Sequence, residues 1–339
     1  MPDWFKAQFS TLAGVPRPQI LTLGLSWFWT LTGGTNMASH SLGLSLHQAA
    51  RKMGVPFTAE NEPVDRTVNA NGLNFHYLEW GDSSKPTLVM FHGVSQQAHS
   101  WDFISLNLSP DYHVIAVDQR GHGDTDWADD GNYSLDSMQA DMDGVIEGLG
   151  LDDFNLMGHS MGGRNSFIWA SRHPKTLRSL TIVDTGPETQ RRGQDRIRNF
   201  RELPNDLNSF QEFADRIQEY TGRTEEQVLG ALKYSIRQTA DGKWSWKWDP
   251  ATKNRGRSGG DPNWPTEKLW ECVQAVDCPS LVLRGDRSDI FAEETLAKMG
   301  EVMFDCTTET ISNAGHLVQG DNPVDFITAA RGLLSRVNG

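Results

Sequence analysis

The chain is 339 residues long, 37% hydrophobic and 22% charged, with a net charge of -13. That size buries a large core in one domain with an insertion, or in two domains, and the composition excludes a mainly disordered protein. The acidic balance argues against nucleic acid or an anionic membrane as partner, and Cys272, Cys278 and Cys306 are too few and too scattered for a disulfide framework or a zinc site, which fits a reducing, cytoplasmic setting.

Residues 1–62 are expected to form an extension ahead of the main domain. No Asp, Glu, Lys or Arg lies between Pro18 and Ala50, and the apolar run Ile20–Leu31 is shorter than a membrane span requires. The stretch 35–38 lacks the small-residue pattern of a signal-peptide cleavage site, so secretion is the minor expectation. An amphipathic or buried segment that packs on the main domain, or on a second copy to make a homodimer, fits better.

From Val64 the pattern becomes strand, turn, strand, with Asn71-Gly72 between two alternating runs, a hairpin signal. Pro86–Phe91 and Asp111–Val117 are continuous apolar runs of the kind buried on both faces of a parallel sheet. Trp101–Leu108 and Asp136–Leu149 have helical spacing. A further strand from Phe154 runs into Gly158-His159-Ser160-Met161-Gly162, where the chain turns sharply into a helix through Arg172. The glycines let neighbouring chain pass close to a serine held in a strained conformation. Leu177–Val183 is the next strand, and the βαβα alternation implies a mostly parallel central sheet flanked by helices.

The alternation stops at Pro187 and resumes at Pro279. Gln194–Glu202, Leu207–Tyr220 and Thr224–Thr239 read as charged helices, followed by a short strand in which Trp244, Trp246 and Trp248 share one face. Such a row of indoles is expected to be covered by the neighbouring domain. The Gly- and Arg-rich stretch 255–262 is expected to be a mobile loop. The expected organisation is an N-terminal extension (1–62), an α/β core (63–186 and 279–339) and an inserted, mainly helical cap (187–278). The core resumes with strands Ser280–Arg284 and Thr307–Ile311, a helix from Ala292 between them, and a last helix from Pro323.

Reactive groups in open parallel sheets collect at the carboxyl ends of the strands. The ends here carry His92-Gly93, Asp118–Gly123, Ser160, the loop Gly285–Asp289, and Asn313–His316. On these motifs the chain resembles the α/β-hydrolase fold superfamily, in its serine-nucleophile branch, over nearly everything from Val64 onward. A serine hydroxyl needs a neighbouring base, and imidazole suits neutral pH. Ser160 is therefore the candidate nucleophile and His316 the candidate base. A carboxylate must orient the imidazole; the family's Gly-x-x-x-Asp spacing points to Asp289, with Asp286 and Asp184 as competitors. The resemblance further implies an oxyanion hole from the backbone N–H groups of Val94 and Met161, and assigns His92, Asp118, Arg120 and His122 to holding loops.

A serine at the elbow argues against the dehalogenases and epoxide hydrolases of this fold, which attack through aspartate. The expected activity is hydrolysis of a carboxylic ester of a small, mostly apolar substrate, with no cofactor and no metal. Lactonase, perhydrolase or carbon–carbon bond (ring-fission diketone) hydrolase activity on the same residues are the alternative chemistries. A ligand receptor without turnover is the non-enzymatic alternative, and it gives no physical reason for serine, acid and histidine together.

Overall fold

The computed structural model describes residues 44–254 and 264–338. The apolar run at 20–31 and the loop at 255–262 lie outside the described residues. No helix among the described residues is long and apolar enough to cross a membrane.

Strands β1 (Val64–Ala70) and β2 (Leu73–Trp80) form the expected hairpin. Its turn residues Asn71 and Gly72 have φ of 46° and 79°, the left-handed pair that a two-residue hairpin turn needs. Next come β3 (Thr87–Phe91), β4 (His113–Val117), β5 (Phe154–His159) and β6 (Leu177–Val183). After an insertion containing three short strands, β7 (Asp206–Leu207), β8 (Ile236–Gln238) and β9 (Trp244–Trp246), the large sheet closes with β10 (Ser280–Gly285) and β11 (Cys306–Ile311). The large sheet has the order β1-β2-β4-β3-β5-β6-β10-β11. β2 is antiparallel to β1 and β4, and every pairing from β4 onward is parallel. Because β4 lies on one side of β3 and β5 on the other, the winding reverses there, and β5 delivers its carboxyl end to the crevice where such sheets place their sites.

Both faces of the sheet are covered, which explains why β4 and β5 are buried along their whole length. One face packs against α3 (Leu135–Gly148) and α4 (Met161–Arg172), with Met142, Val145, Phe167 and Ile168 in that cluster. The other face packs against α2 (Asp102–Leu108) and, after α9 (Glu293–Val302) and the short α10 (Val318–Asp321), against α11 (Pro323–Asn338), whose Phe326, Ile327, Ala330, Leu333 and Leu334 follow a helical stripe. Full burial of one such Phe or Leu contributes about 1.5–3 kcal/mol. The outer strand β11 presents exposed Thr307, Thr308, Glu309 and Thr310, a polar edge that discourages pairing with other chains.

Within the stretch read as an extension, α1 (Leu46–Lys52) is capped by the Ser45 side chain and buries Ala50, and Val55 follows it into the same cluster as α2 and α11. Residues 46–55 therefore pack on the core.

The chain between β6 and β10 forms α5 (Arg191–Glu202), α6 (Phe210–Thr221), α7 (Glu225–Leu232), the small sheet β7-β9-β8 and α8 (Thr266–Ala275). Three expectations change here. The run 224–239, read as one helix, ends its helix at Leu232, and Ile236–Gln238 pairs with β9 instead. The tryptophan row is buried chiefly inside the insertion, where Trp246 and Trp248 join Phe213, Val228, Leu232 and Ile236 in a separate small core. Finally, α8 lies inside the 187–278 range but buries Leu269, Trp270 and Val273 in the cluster shared with α4.

Candidate active site

Ser160 joins β5 to α4 with φ 51° and ψ -111°, a backbone conformation that costs about 1–3 kcal/mol in a non-glycine residue and persists only where the surroundings enforce it. Here its N–H donates to the Val183 carbonyl at 2.9 Å and the Gly162 N–H donates to the His92 carbonyl at 3.1 Å. A side chain on Gly162 would meet the carbonyl carbon of Phe91 at 2.6 Å, and one on Gly158 would meet the N of Gly163 at 2.6 Å. The glycines thus let β3, β5 and α4 converge, and the convergence pushes the Ser160 hydroxyl outward.

His316 follows β11 in a loop that is held from two sides. Asp286 accepts the N–H groups of Asn313 (3.0 Å) and Ala314 (2.9 Å), and Asp321 accepts that of Gly315 (2.9 Å). The placement brings His316 Nε2 to 3.0 Å from Ser160 Oγ, from which it can accept a proton. The opposite nitrogen, Nδ1–H, donates to Oδ2 of Asp184 at 2.7 Å.

The carboxylate against the imidazole is therefore Asp184, and Asp289 is not brought to it. Asp184 follows β6 with a left-handed φ of 51° and is fully buried. Its oxygens also accept the Gly285 N–H at 3.0 Å and the Ser288 hydroxyl at 2.6 Å. Asp289 turns away to Arg196 on α5, with Nε at 2.8 Å and Nη2 at 2.9 Å. The physical reason lies in the loop after β10. Ser288 points inward and donates to Asp184, so the residue after it points out toward the insertion. Asp286, the other competitor, caps the loop before His316.

Val94 lies in the loop after β3 and lines the cavity beside His316, while Met161 is the first residue of α4. The neighbouring Gly93 N–H is already committed to Gln96 Oε1 at 2.7 Å. His92 is fully buried; its Nδ1–H donates to the Gly93 carbonyl at 2.7 Å and its Nε2 accepts the Gln119 N–H at 3.0 Å. Burial holds this ring below the usual histidine range, against the pull of Asp118. His159 Nε2–H donates to the His316 carbonyl at 2.7 Å. Its pKa lies well below the ordinary value because of burial and then the nearby His316 ring. Both histidines are thus neutral braces around the elbow.

The loop after β4 is built the same way. Arg120 pairs with Asp141 through Nη2 at 2.7 Å, and the His122 ring Nδ1–H donates to the Arg120 carbonyl at 2.9 Å. His76, Asp118 and Asp124 bring ligand-type atoms within 4.8 Å of one another. Those atoms serve each other, however: His76 bridges Asp118 (2.8 Å) and Asp65 (3.0 Å), and Asp124 pairs with Lys247 (2.7 Å). For His76, burial alone would lower the pKa, but these carboxylates outweigh it and raise it.

Above His316 a cavity of about 180 Å³ opens between the core and the insertion. Its wall is mostly apolar on the insertion side, with Ile197, Phe200, Val228, Leu232 and Trp246, and polar near His159 and His316. Chemically, the three side chains can transfer a proton from Ser160 to His316 and hold the resulting imidazolium against a buried carboxylate.

Comparisons with known proteins agree with this fold. Residues 86–323 match the family model described as alpha/beta hydrolase fold. An esterase of Mycobacterium tuberculosis is 28% identical over 81% of this chain and 91% of its own length. A 3-hydroxybutyrate-oligomer hydrolase of Cupriavidus necator is 30% identical over 75% of this chain and 90% of its own. Among solved structures, an alpha/beta hydrolase of Novosphingobium aromaticivorans superposes with a TM-score of 0.73 at 26% identity, covering 82% of this chain and 100% of that one. With sheet order, elbow and matched length in agreement, the chain belongs to the alpha/beta hydrolase fold family, as a hydrolase whose named relatives include esterases.

Proposed function

We propose that the chain is a serine hydrolase that cleaves a carboxylic ester of a small, mostly apolar substrate through an acyl-enzyme. The observation that carries this reading is the unbroken relay from Ser160 Oγ to His316 (3.0 Å) to buried Asp184 (2.7 Å). Ser160 Oγ attacks the ester carbonyl as His316 Nε2 takes its proton, and the N–H groups of Met161 and Val94 receive the oxyanion. The alcohol leaves with the proton from His316. Water then attacks the acyl-enzyme, His316 accepts its proton, and the acid departs as Ser160 regains its hydrogen.

The insertion acts as a cap in this reading, because its apolar side chains form one wall of the cavity over His316. A cavity of about 180 Å³ is smaller than a drug-sized site, so short acyl chains are expected to be preferred. The test is hydrolysis of 4-nitrophenyl esters from acetate to decanoate by the wild type and by Ser160→Ala. The expected outcome is turnover that falls with chain length, and a loss of at least about 10⁴-fold in the variant. Activity retained by Ser160→Ala sinks the assignment.

A further inference from the structure

Three arginines of the insertion lie near the site; Arg201 and Arg223 line the cavity and Arg196 does not, and two of the three are neutralised. Arg196 is paired with Asp289 at 2.8 Å and Arg223 with Asp321 at 2.8 Å. Arg201, near the end of α5, is not. Its Nη2 donates to the Thr252 hydroxyl at 2.6 Å, its guanidinium carbon lies 5.1 Å from the centre of the Trp248 ring, and its buried Nε has no hydrogen-bond partner among the described residues. Burial, against an opposing pull from Glu202, lowers its pKa to about 10. A part-buried guanidinium whose Nε is shut off from water without a partner is costly, and the cost is relieved when an anion completes it. The wall agrees. Arg201 and Arg223 line this cavity, and no Asp or Glu is among the described residues that do, although the whole chain carries a net charge of -13.

We infer that Arg201 is the receptor for a carboxylate on the substrate, so that the esters this protein takes are half-acids with the charged end held under the insertion. The inference rests on the serine-hydrolase reading and names its substrate class. In the cavity the reacting carbonyl then lies beside His316 and the free acid at Arg201, both of which line it, while buried Thr252 and Trp248 hold the Arg201 guanidinium. A planar fork suits this task better than an ammonium, because it can offer Nε and Nη together to one carboxylate.

The experiment compares matched esters, with the acid tried on each side of the scissile bond. One pair is mono-4-nitrophenyl adipate and 4-nitrophenyl hexanoate; the other is 4-acetoxybenzoate and its methyl ester. Each pair is measured with the wild type, Arg201→Gln and Arg201→Lys, and folding is verified by circular dichroism and by phosphonate labelling of Ser160. In at least one pair the wild type is expected to favour the acid in kcat/KM. Arg201→Gln should reduce that acid-to-neutral ratio at least tenfold, and Arg201→Lys should fall between. A ratio unmoved in both variants, with ester turnover intact, overturns the Arg201 assignment and leaves the hydrolase reading standing. If no ester is turned over and Ser160 resists the phosphonate, the hydrolase reading fails. Calorimetric binding of glutarate to wild type and Arg201→Gln then decides Arg201 alone: at least tenfold weaker binding by the variant supports it, and equal or absent binding refutes it.

Discussion

The assignment of the acid is the point at which the geometry is most exposed to test. In Asp184→Asn the amide presents one oxygen and one NH₂ to three donors that the carboxylate now satisfies: His316 Nδ1–H at 2.7 Å, the Ser288 hydroxyl at 2.6 Å and the Gly285 N–H at 3.0 Å. The oxygen can serve at most two of them well, and the NH₂ must face a donor or force His316 into the tautomer that protonates Nε2. That tautomer cannot accept the Ser160 proton. With the charge also removed, kcat/KM should fall by about 10³–10⁴, equivalent to about 4–5.5 kcal/mol of transition-state stabilisation. In Asp289→Asn, by contrast, what is weakened is an ion pair with Arg196 whose partners are 19% and 40% exposed. Such a pair contributes about 0–1 kcal/mol, so the same assay should register less than about a fivefold change. Both variants are read with a 4-nitrophenyl ester at neutral pH after their secondary structure has been verified. An active Asp184→Asn beside an inactive Asp289→Asn would refute the reasoning.

Three further outcomes follow from the packing and the buried histidines. Because His159 is held neutral in the fold, the unfolded chain takes up a proton there below pH about 6.5, so stability is complete above that pH and is lost as the pH falls below it. His159→Gln should shrink the difference in urea-unfolding stability between pH 7.5 and 5.5 by about 1 kcal/mol, with His92 contributing in the same direction and His76 in the opposite one; an unchanged difference counts against the buried neutral ring. Gly162→Ala places a methyl group against the Phe91 carbonyl carbon and the His92 oxygen, and should cost about 2 kcal/mol or more in urea unfolding, whereas a neutral result would contradict the close approach of β3 and α4. Phe213→Ala empties the centre of the small core in the insertion at a cost of about 3–5 kcal/mol, and hydrogen exchange should speed up in α6 and α7 before it does in β3 or β5.

The sequence is most legible where local pattern and tertiary role coincide. The apolar runs of β3, β4 and β5 could be read because buried parallel strands tolerate little else, and the elbow because only glycine permits its convergence. The end of β5 places Ser160, and the end of the last strand, β11, places His316. The acid escaped because two loops offer an aspartate at a strand end, and the choice between them is made by which way Ser288 points, a matter of three-dimensional packing. Two features of the insertion were lost for a similar reason. Ile236–Gln238 is a strand only because Trp244–Trp246 lies beside it, and α8 has an apolar face that reads equally well against either part of the molecule.

The insertion is rooted at both ends in parts of the molecule that hold the site. It leaves β6 just after Asp184, where the Gln190 N–H donates to the Ile290 carbonyl at 2.7 Å and the Gly193 N–H to the Asp289 carbonyl at 3.0 Å. It returns through α8, which shares its apolar cluster with α4, the helix that begins beside Ser160. For protein engineering, these roots mark the splice points. A foreign segment joined after Gly193 and before α8 would inherit nucleophile, base and acid in their present places and would replace only the walls of the chamber above them. A graft cut at Pro187 or Pro279 would instead carry away one of the braces that keep the chemistry aligned.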